Sequence, residues 1–519
     1  MAVVIAEDEL KIEQDFFARC CRRSPDHRLP YRFTPDDHQK HFQVRFRVAE
    51  GTQTLVIRAD FEPKAEPDRA KDRERIIACI SAYVNSFSTE VRQAIQRRFQ
   101  TEKLVDRLSP IRNLINFSIF DPSGRFRGRG ETRFMGSPLL ISTDYASLGF
   151  LVGPLEAGDW TVEISTHAIV TERCELELDV WGVHEPVPKR RRPERTAAAR
   201  SPQSGDGERW LAGELHAHSH HSDGAGSVAE LANLVKARPV DFLVLTDHNT
   251  ISGYPELEEV ADPLMIPGME LTTFFGHAVA IGIDRYIAWT TIDRSDPLTE
   301  KIRAVHDQGG LFGIAHPNII GTPICTGCAW EYDGVDLHQV DLIEIWSGSW
   351  REQWFANRKT IRWWDELVSS GYRLVGVGGT DIHEYKAKPD HPTTYVRART
   401  NSREAILEGL RSGSVYISSG PGIRFEIGVA DRTLGIGDRA AIEPGTEAKV
   451  SITPSGCRGD ERLVLVRNGE PIHAAEVSGL PRLSFIDRPQ RDSYYRCEIV
   501  DRRGDLQLIT NPISLLPRI

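Results

Sequence analysis

Residues 42–48, FQVRFRV, alternate apolar and polar side chains with period two, and TLVIRADF, LINFSIF, WTVEIS and CELELDVWG repeat the pattern to about residue 182. Alternation of this kind marks strands with one buried face, so an N-terminal β-sandwich is predicted over residues 1–185. Between the second and third of these strands the period changes. Residues 66–111 carry Ile76, Ile77, Ile80 and Val84 at helical spacing, which reads as a helical insertion at about 66–111. Its cations Arg97, Arg98, Lys103 and Arg107 read as a solvated helix face rather than a patch for an acidic partner.

Residues 186–208 lose all apolar periodicity and are rich in Pro, Arg and Ser, the composition of a linker, with the basic run Lys189 to Arg192 taken as solvated. From 209 to 420 the texture is different. VDFLVLTDH, LMIPGMEL, HAVAIGI, GLFGIAHP, VDLIEIWSG and RLVGVGGTDIH are runs apolar on both faces, separated by helical segments near 297–309 and 356–370. Such runs predict parallel strands of an α/β domain, for which a barrel is a natural closure. From 421 to 519 alternation returns in KVSITPSG, ERLVLVRNG and SYYRCEIVD, with Asn468-Gly469 as a hairpin turn, so a C-terminal β-sandwich is predicted. No internal repeat is visible.

Several domains are consistent with the 519-residue length, because single cores stop growing at roughly 250 to 300 residues. The 40% hydrophobic and 27% charged content is that of a soluble globular chain without a membrane-spanning run. The opening MAVVIAEDELKIEQ does not read as a secretory signal, and eight cysteines are too sparse for a disulfide scaffold, so a cytoplasmic, reducing location is expected. A net charge of -10 argues against a surface built to hold nucleic acid.

The polar residues of the α/β segment fall at the ends of its apolar runs. DFLVLT leads into Asp247 and His248, LMIPGM into Glu270, LFGIA into His316, and RLVGVGGT into Asp381 and His383; His277 is the exception, since it opens its strand. Carboxyl ends of strands form the face where α/β sites assemble, so these side chains are expected to converge. The stretch GELHAHSHHSDG adds His216 and His218, which point the same way if GELHAH is a strand, and Asp223. Each residue alone has an ordinary structural reading. Together, so many imidazoles and carboxylates at one end of a sheet would be costly to desolvate without a cation.

The order and spacing of these motifs resemble the PHP (polymerase and histidinol phosphatase) domain: LHAHSHHSDG is similar to its first motif, LTDHN to its second, AHP to its third and GTDIH to its fourth. The resemblance implies a distorted (β/α)7 barrel, flanked here by the two sandwiches, with two or three divalent metal ions (zinc, manganese or iron) at the strand ends. It implies as ligands His216, His218, Asp223, His248, Glu270, His277, His316, Asp381 and His383. Asp247, beside His248, is a candidate to orient a ligand from outside the metal contact. The wider architecture, with GPLEAGDWTVEI, IEIWSGSW, SGPGIRFEI and ITNPI, is similar to carbaryl hydrolase-like metallohydrolases of that family.

Three divalent ions against three carboxylates leave the site positive, which favours a phosphate ester as the small-molecule substrate. The leading expectation is phosphoester hydrolysis by metal-activated hydroxide, with Asp381, His316 and His383 in catalytic roles and either histidine able to protonate the leaving group. Tyr385, Lys386, Lys388 and His391 follow the last ligand pair and are candidate substrate contacts. A rival reading is attack on the carbon of an ester, amide or carbamate; a third is a binding protein whose metals only stabilise it. Trp346 is expected in core packing, and Cys325-Thr-Gly-Cys328 reads as free thiols, a disulfide or a metal pair.

Overall fold

The structure is a computed structural model describing residues 7–98, 101–188 and 207–517, except 237, 239, 290–293, 387 and 480–481. The Lys189 to Arg192 run and most of the expected linker lie outside the described residues.

Two four-stranded antiparallel sheets make up the first unit. One runs His27–Phe33, Cys174–Val183, Thr54–Glu62, Pro138–Ser142; the other runs Lys40–Val48, Gly158–Ala168, Leu114–Phe120, Phe126–Gly130. Period-two alternation sends Phe46 inward opposite Trp160, and they share one core with Leu55, Ile57, Phe117 and Ile164 from both sheets. Helices Arg69–Asn85, Thr89–Arg98 and Thr101–Leu108 follow strand Thr54–Glu62. Asp68 caps the first by accepting from the Ala70 and Lys71 amides. Ile76 and Ile80 are buried, whereas Ile77 is 37% exposed, because one helical step carries it off the buried stripe. These helices also touch the rest of the chain: the Tyr83 hydroxyl donates to the Asn318 carbonyl at 2.6 Å, and Arg98 pairs with Asp505 at 3.4 Å.

In the next unit seven strands are neighbours in chain order: Arg209–Glu214, Phe242–Leu245, Leu264–Thr272, His277–Ile281, Leu311–Ile314, Leu342–Ser347 and Val375–Gly379. Their pairing is parallel except at His277–Ile281, which is antiparallel to both neighbours, where an all-parallel run was expected. The reversal follows from the short Thr273–Gly276 link, far below the dozen or so residues a parallel crossover needs. Among the described residues the sheet is not closed strand to strand. Arg209–Glu214 gives its free edge to Thr393–Ala398, and it meets the other end of the path only beyond the strands, at a parallel bridge between Ala217 and Ile382.

That edge pairing carries the sheet onward through Val415–Ser418, Leu506–Thr510, Ser493–Val500, Arg462–Arg467 and Glu470–Glu476. A separate sheet, with Gly422–Val429 and Ala448–Ser455 at its centre, covers one face of this extension over a core that includes Phe425, Ile452, Leu465 and Tyr495. Asn468 and Gly469 form the expected two-residue hairpin turn, with φ of 52° and 82°. Trp346 lies fully buried against Trp350, as packing. No helix among the described residues is long and apolar enough to cross a membrane.

Candidate metal centre

The antiparallel strand explains the exception noted in the sequence. Its first residue, His277, stands in register with Thr272 at the carboxyl end of the preceding strand, so opening that strand and closing a parallel one lead to the same face. All nine expected ligands meet there. They form three overlapping groups whose candidate donor atoms lie within 4.8 Å of one another: His216, Glu270, His316 and Asp381; His248, Glu270 and His277; and His218, Asp223, His248 and His383.

Glu270 is the hub and is wholly buried. Its Oε1 lies 2.9 Å from His277 Nδ1 and 3.1 Å from His316 Nε2; its Oε2 lies 2.8 Å from His248 Nδ1 and 3.3 Å from His216 Nε2. Asp381 Oδ1 stands 3.0 Å from His218 Nε2 and 3.4 Å from His216 Nε2, and Asp223 Oδ1 stands 3.4 Å from His248 Nε2 and 3.2 Å from His383 Nε2. Exposure is one-sided: the Asp223, His383 and Asp381 side chains are 40%, 33% and 25% exposed, so solvent reaches the cluster from that rim.

The residues fit divalent ions. His216 Nε2 and Glu270 Oε2 are both buried and lack a hydrogen-bond partner although only 3.3 Å apart, so they address a shared point rather than each other. Imidazole and carboxylate donors without a thiolate suit zinc, manganese or iron(II). Burial opposes the charged form of every member, yet the mutual charges dominate at all but His218 and His277. They hold Asp223, Glu270 and Asp381 well below the ordinary carboxylate range and His216 and His248 well above the ordinary imidazole range. Burial, with His383 and His248 adding to it, lowers His218 to about 4. Against burial, Asp223 and Asp381 raise His383 to about 9. The backbone is strained at the same place: His316 and Asp381 have φ of 25° and 49°, a left-handed region costing about 1–3 kcal/mol for such residues.

Other expected residues have different surroundings. Asp247 receives no imidazole; its oxygens take the Ser219 amide and the Ser219 and Ser222 hydroxyls, each at 2.7 Å, and so shape the loop between His218 and Asp223. Tyr385 donates its hydroxyl to the Gly226 carbonyl at 2.7 Å, and Lys388 holds both oxygens of Glu352 at 2.7 Å. Lys386 is 79% exposed, and His391 is buried with Nδ1 unpartnered; burial first, then Arg238, lowers it to about 4. Cys325 and Cys328 are bonded to each other, in a loop whose Thr326 and Cys328 carbonyls face His277 and His316.

Sequence reasoning missed several contributors. Glu344, buried in LIEIW, places Oε2 3.2 Å from His216 Nδ1 and accepts from the His316 amide at 3.0 Å. Its signal was a lone acid in a run apolar on both faces. Glu214 accepts from the His216 and Thr380 amides. From the first unit, Arg129 donates to the His248 carbonyl at 2.7 Å, and Arg133 donates to the carbonyls of His220 and Gly224. No local pattern foretold that contact.

No protein-family model matches the sequence. A 5'-3' exoribonuclease of Haemophilus influenzae is 34% identical over 113 residues, which are 20% of this chain and 41% of that protein. The chain therefore spans less than half the length of that relative. An uncharacterized protein of Methanocaldococcus jannaschii is 27% identical over 148 residues, 26% of this chain and 81% of that one. Among solved structures, a two-domain Bacteroides vulgatus protein containing a predicted PHP-like metal-dependent phosphoesterase is 19% identical and covers 63% of this chain and 100% of its own, with a TM-score of 0.34. An amidohydrolase of Chromobacterium violaceum is 17% identical over 33% of this chain and 87% of its own, with a TM-score of 0.24.

Proposed function

We propose that the protein is a metal-dependent phosphoesterase of the PHP type. The observation that carries this reading is Glu270, a buried carboxylate shared by two donor groups and ringed by four imidazoles within 3.3 Å. The three groups would hold two or three divalent ions. Such ions, when bound, lower the pKa of water and polarise a phosphoryl oxygen.

The chain's own residues do the rest. Glu270 and Asp381 offset the positive charge, while Glu344 and Glu214 fix the segment carrying His216. His316 is shut in beneath Glu270, but Asp381 and His383 stand at the open rim. Where the group around Asp223 holds no ion, His383 Nε2 is the atom placed to pass a proton to a leaving alkoxide. The phosphodiester bond is the one an exoribonuclease cuts, and the partial relative of that name supports phosphorus over carbon as the centre attacked.

The test joins metal analysis of purified protein to a panel of p-nitrophenyl phosphate mono- and diesters, acetates and carbamates, with a short 5'-phosphorylated RNA added. Turnover of phosphate esters at two or three bound ions is expected. Turnover of carbon esters alone would move the protein to the carbaryl hydrolase-like reading, and binding of ions without any turnover would make them structural.

A further inference from the structure

Two histidines of the stretch GELHAHSHHSDG remain outside the nine. His220 and His221, each 7% exposed, sit in the loop between His218 and Asp223, and they meet Glu256 from the one-turn helix Tyr254–Leu257. Their donor atoms lie within 4.8 Å of one another.

A short chain of hydroxyls leads to His221. Thr250 Oγ1 can donate to the Gly149 carbonyl at 3.2 Å and lies 3.1 Å from Ser252 Oγ, which lies 3.0 Å from His221 Nδ1. The Gly149 carbonyl already accepts the Arg129 amide at 2.9 Å, so Thr250 is free to donate to Ser252, and the chain admits either tautomer of His221. His221 Nε2 faces Glu256 Oε1 at 3.0 Å, within hydrogen-bond distance. A proton on His221 Nε2 would satisfy that pair. It would leave His220 Nε2, buried and without a hydrogen-bond partner, 3.9 Å from the same oxygen and still unanswered.

We propose that His220, His221 and Glu256 form an auxiliary zinc site, separate from the nine-residue cluster. One cation satisfies all three atoms at once. Two imidazole nitrogens and one carboxylate oxygen are a zinc donor set with a fourth position open to water, and bonds of about 2.1 Å put tetrahedral donors about 3.4 Å apart. The 3.0 and 3.9 Å separations bracket that figure. With Nε2 on the ion, His221 Nδ1–H would donate to Ser252 Oγ at 3.0 Å, an outer contact that orients the ring. An ion here would tie the His218–Asp223 loop to the Tyr254–Leu257 helix. It would thereby brace the segment that delivers Asp223.

The experiment counts ions and does not depend on catalysis. Chelator-stripped full-length protein is titrated with Zn²⁺ and the bound equivalents are read by native mass spectrometry for wild type, Glu256→Gln, His220→Asn and Asp223→Asn, with far-UV circular dichroism as the folding check. Glu256→Gln and His220→Asn should each bind one equivalent fewer than wild type, and Glu256→Gln combined with Asp223→Asn should bind fewer than Asp223→Asn alone. Equal stoichiometry in wild type, Glu256→Gln and His220→Asn would overturn the site. Glu256 is 31% exposed and its replacement is isosteric, so that variant should fold even if His220→Asn does not. Failure of the phosphoesterase reading would appear in the substrate panel and leave this count unchanged.

Discussion

Glu344 Oε2 stands 3.2 Å from His216 Nδ1, with both side chains buried. The carboxylate accepts that ring proton and leaves Nε2 free to face Glu270 and Asp381. Glu344→Gln should weaken metal binding about 10- to 100-fold, the usual cost of losing such an outer partner. Calorimetric zinc titration checks it, and an unchanged affinity would show that His216 is oriented by its packing alone.

Gly379 closes the strand Val375–Gly379 where His216 crosses it. A Cβ there would lie 2.4 Å from His216 Cβ and 2.6 Å from Glu344 Oε1, closer than atoms pack. Gly379→Ala should therefore lower metal content and turnover while the far-UV spectrum stays native, since the displacement falls on the ligand and its carboxylate.

Arg129 joins the first unit to the loop carrying His248 and pairs with Glu131, Nη1 to Oε1 at 2.5 Å, both side chains at least nine-tenths buried. Arg129→Met should destabilise the protein by about 3–5 kcal/mol, the cost of stranding a buried partner. Urea unfolding of the metal-free protein measures it, and the loss should exceed that of the exposed Arg47→Met.

Arg496 holds Asp365 on the helix Trp350–Ser369 and Glu498 on the strand Ser493–Val500, each at 2.7 Å. Burial works against the Glu498 carboxylate, but Arg358 and Arg496 prevail and lower it from 4.5 to about 2. A depressed acid contributes stability that is complete above its unfolded value and is lost as pH falls through the folded one. Melting temperature should thus decline between about pH 4.5 and pH 2 as this group is protonated, and Arg496→Met should flatten the part of the decline due to Glu498.

Asp223→Asn and Glu270→Gln separate the rim from the hub. Asp223 belongs to one donor group and Glu270 to two, so the first change should cost less bound metal than the second. Elemental analysis of the two variants orders them, and the reverse order would remove Glu270 from the centre of the reading.

Local periodicity was enough to find the strands Lys40–Val48 and Thr54–Glu62, the helices between 69 and 108, and the Asn468-Gly469 turn. Alternation and helical spacing are properties of neighbours in the chain, so the chain displays them directly. Five candidate donors, His248, Glu270, His316, Asp381 and His383, were legible for the same reason, as polar residues where apolar runs stop; His216, His218 and Asp223 stood out in GELHAHSHHSDG, and the set of nine rested on the resemblance to the PHP domain. Which residues touch across the fold depends instead on strand order and direction, which no local pattern encodes. Only the tertiary structure decided that His277–Ile281 runs antiparallel and so delivers His277 to the others. It alone set Glu344 under His216 and brought Arg129 and Arg133 across from the first unit. It also divided GELHAHSHHSDG, sending His216, His218 and Asp223 to the main cluster and His220 and His221 to Glu256, because the Ser219 to Ser222 turn, held by Asp247, points them elsewhere.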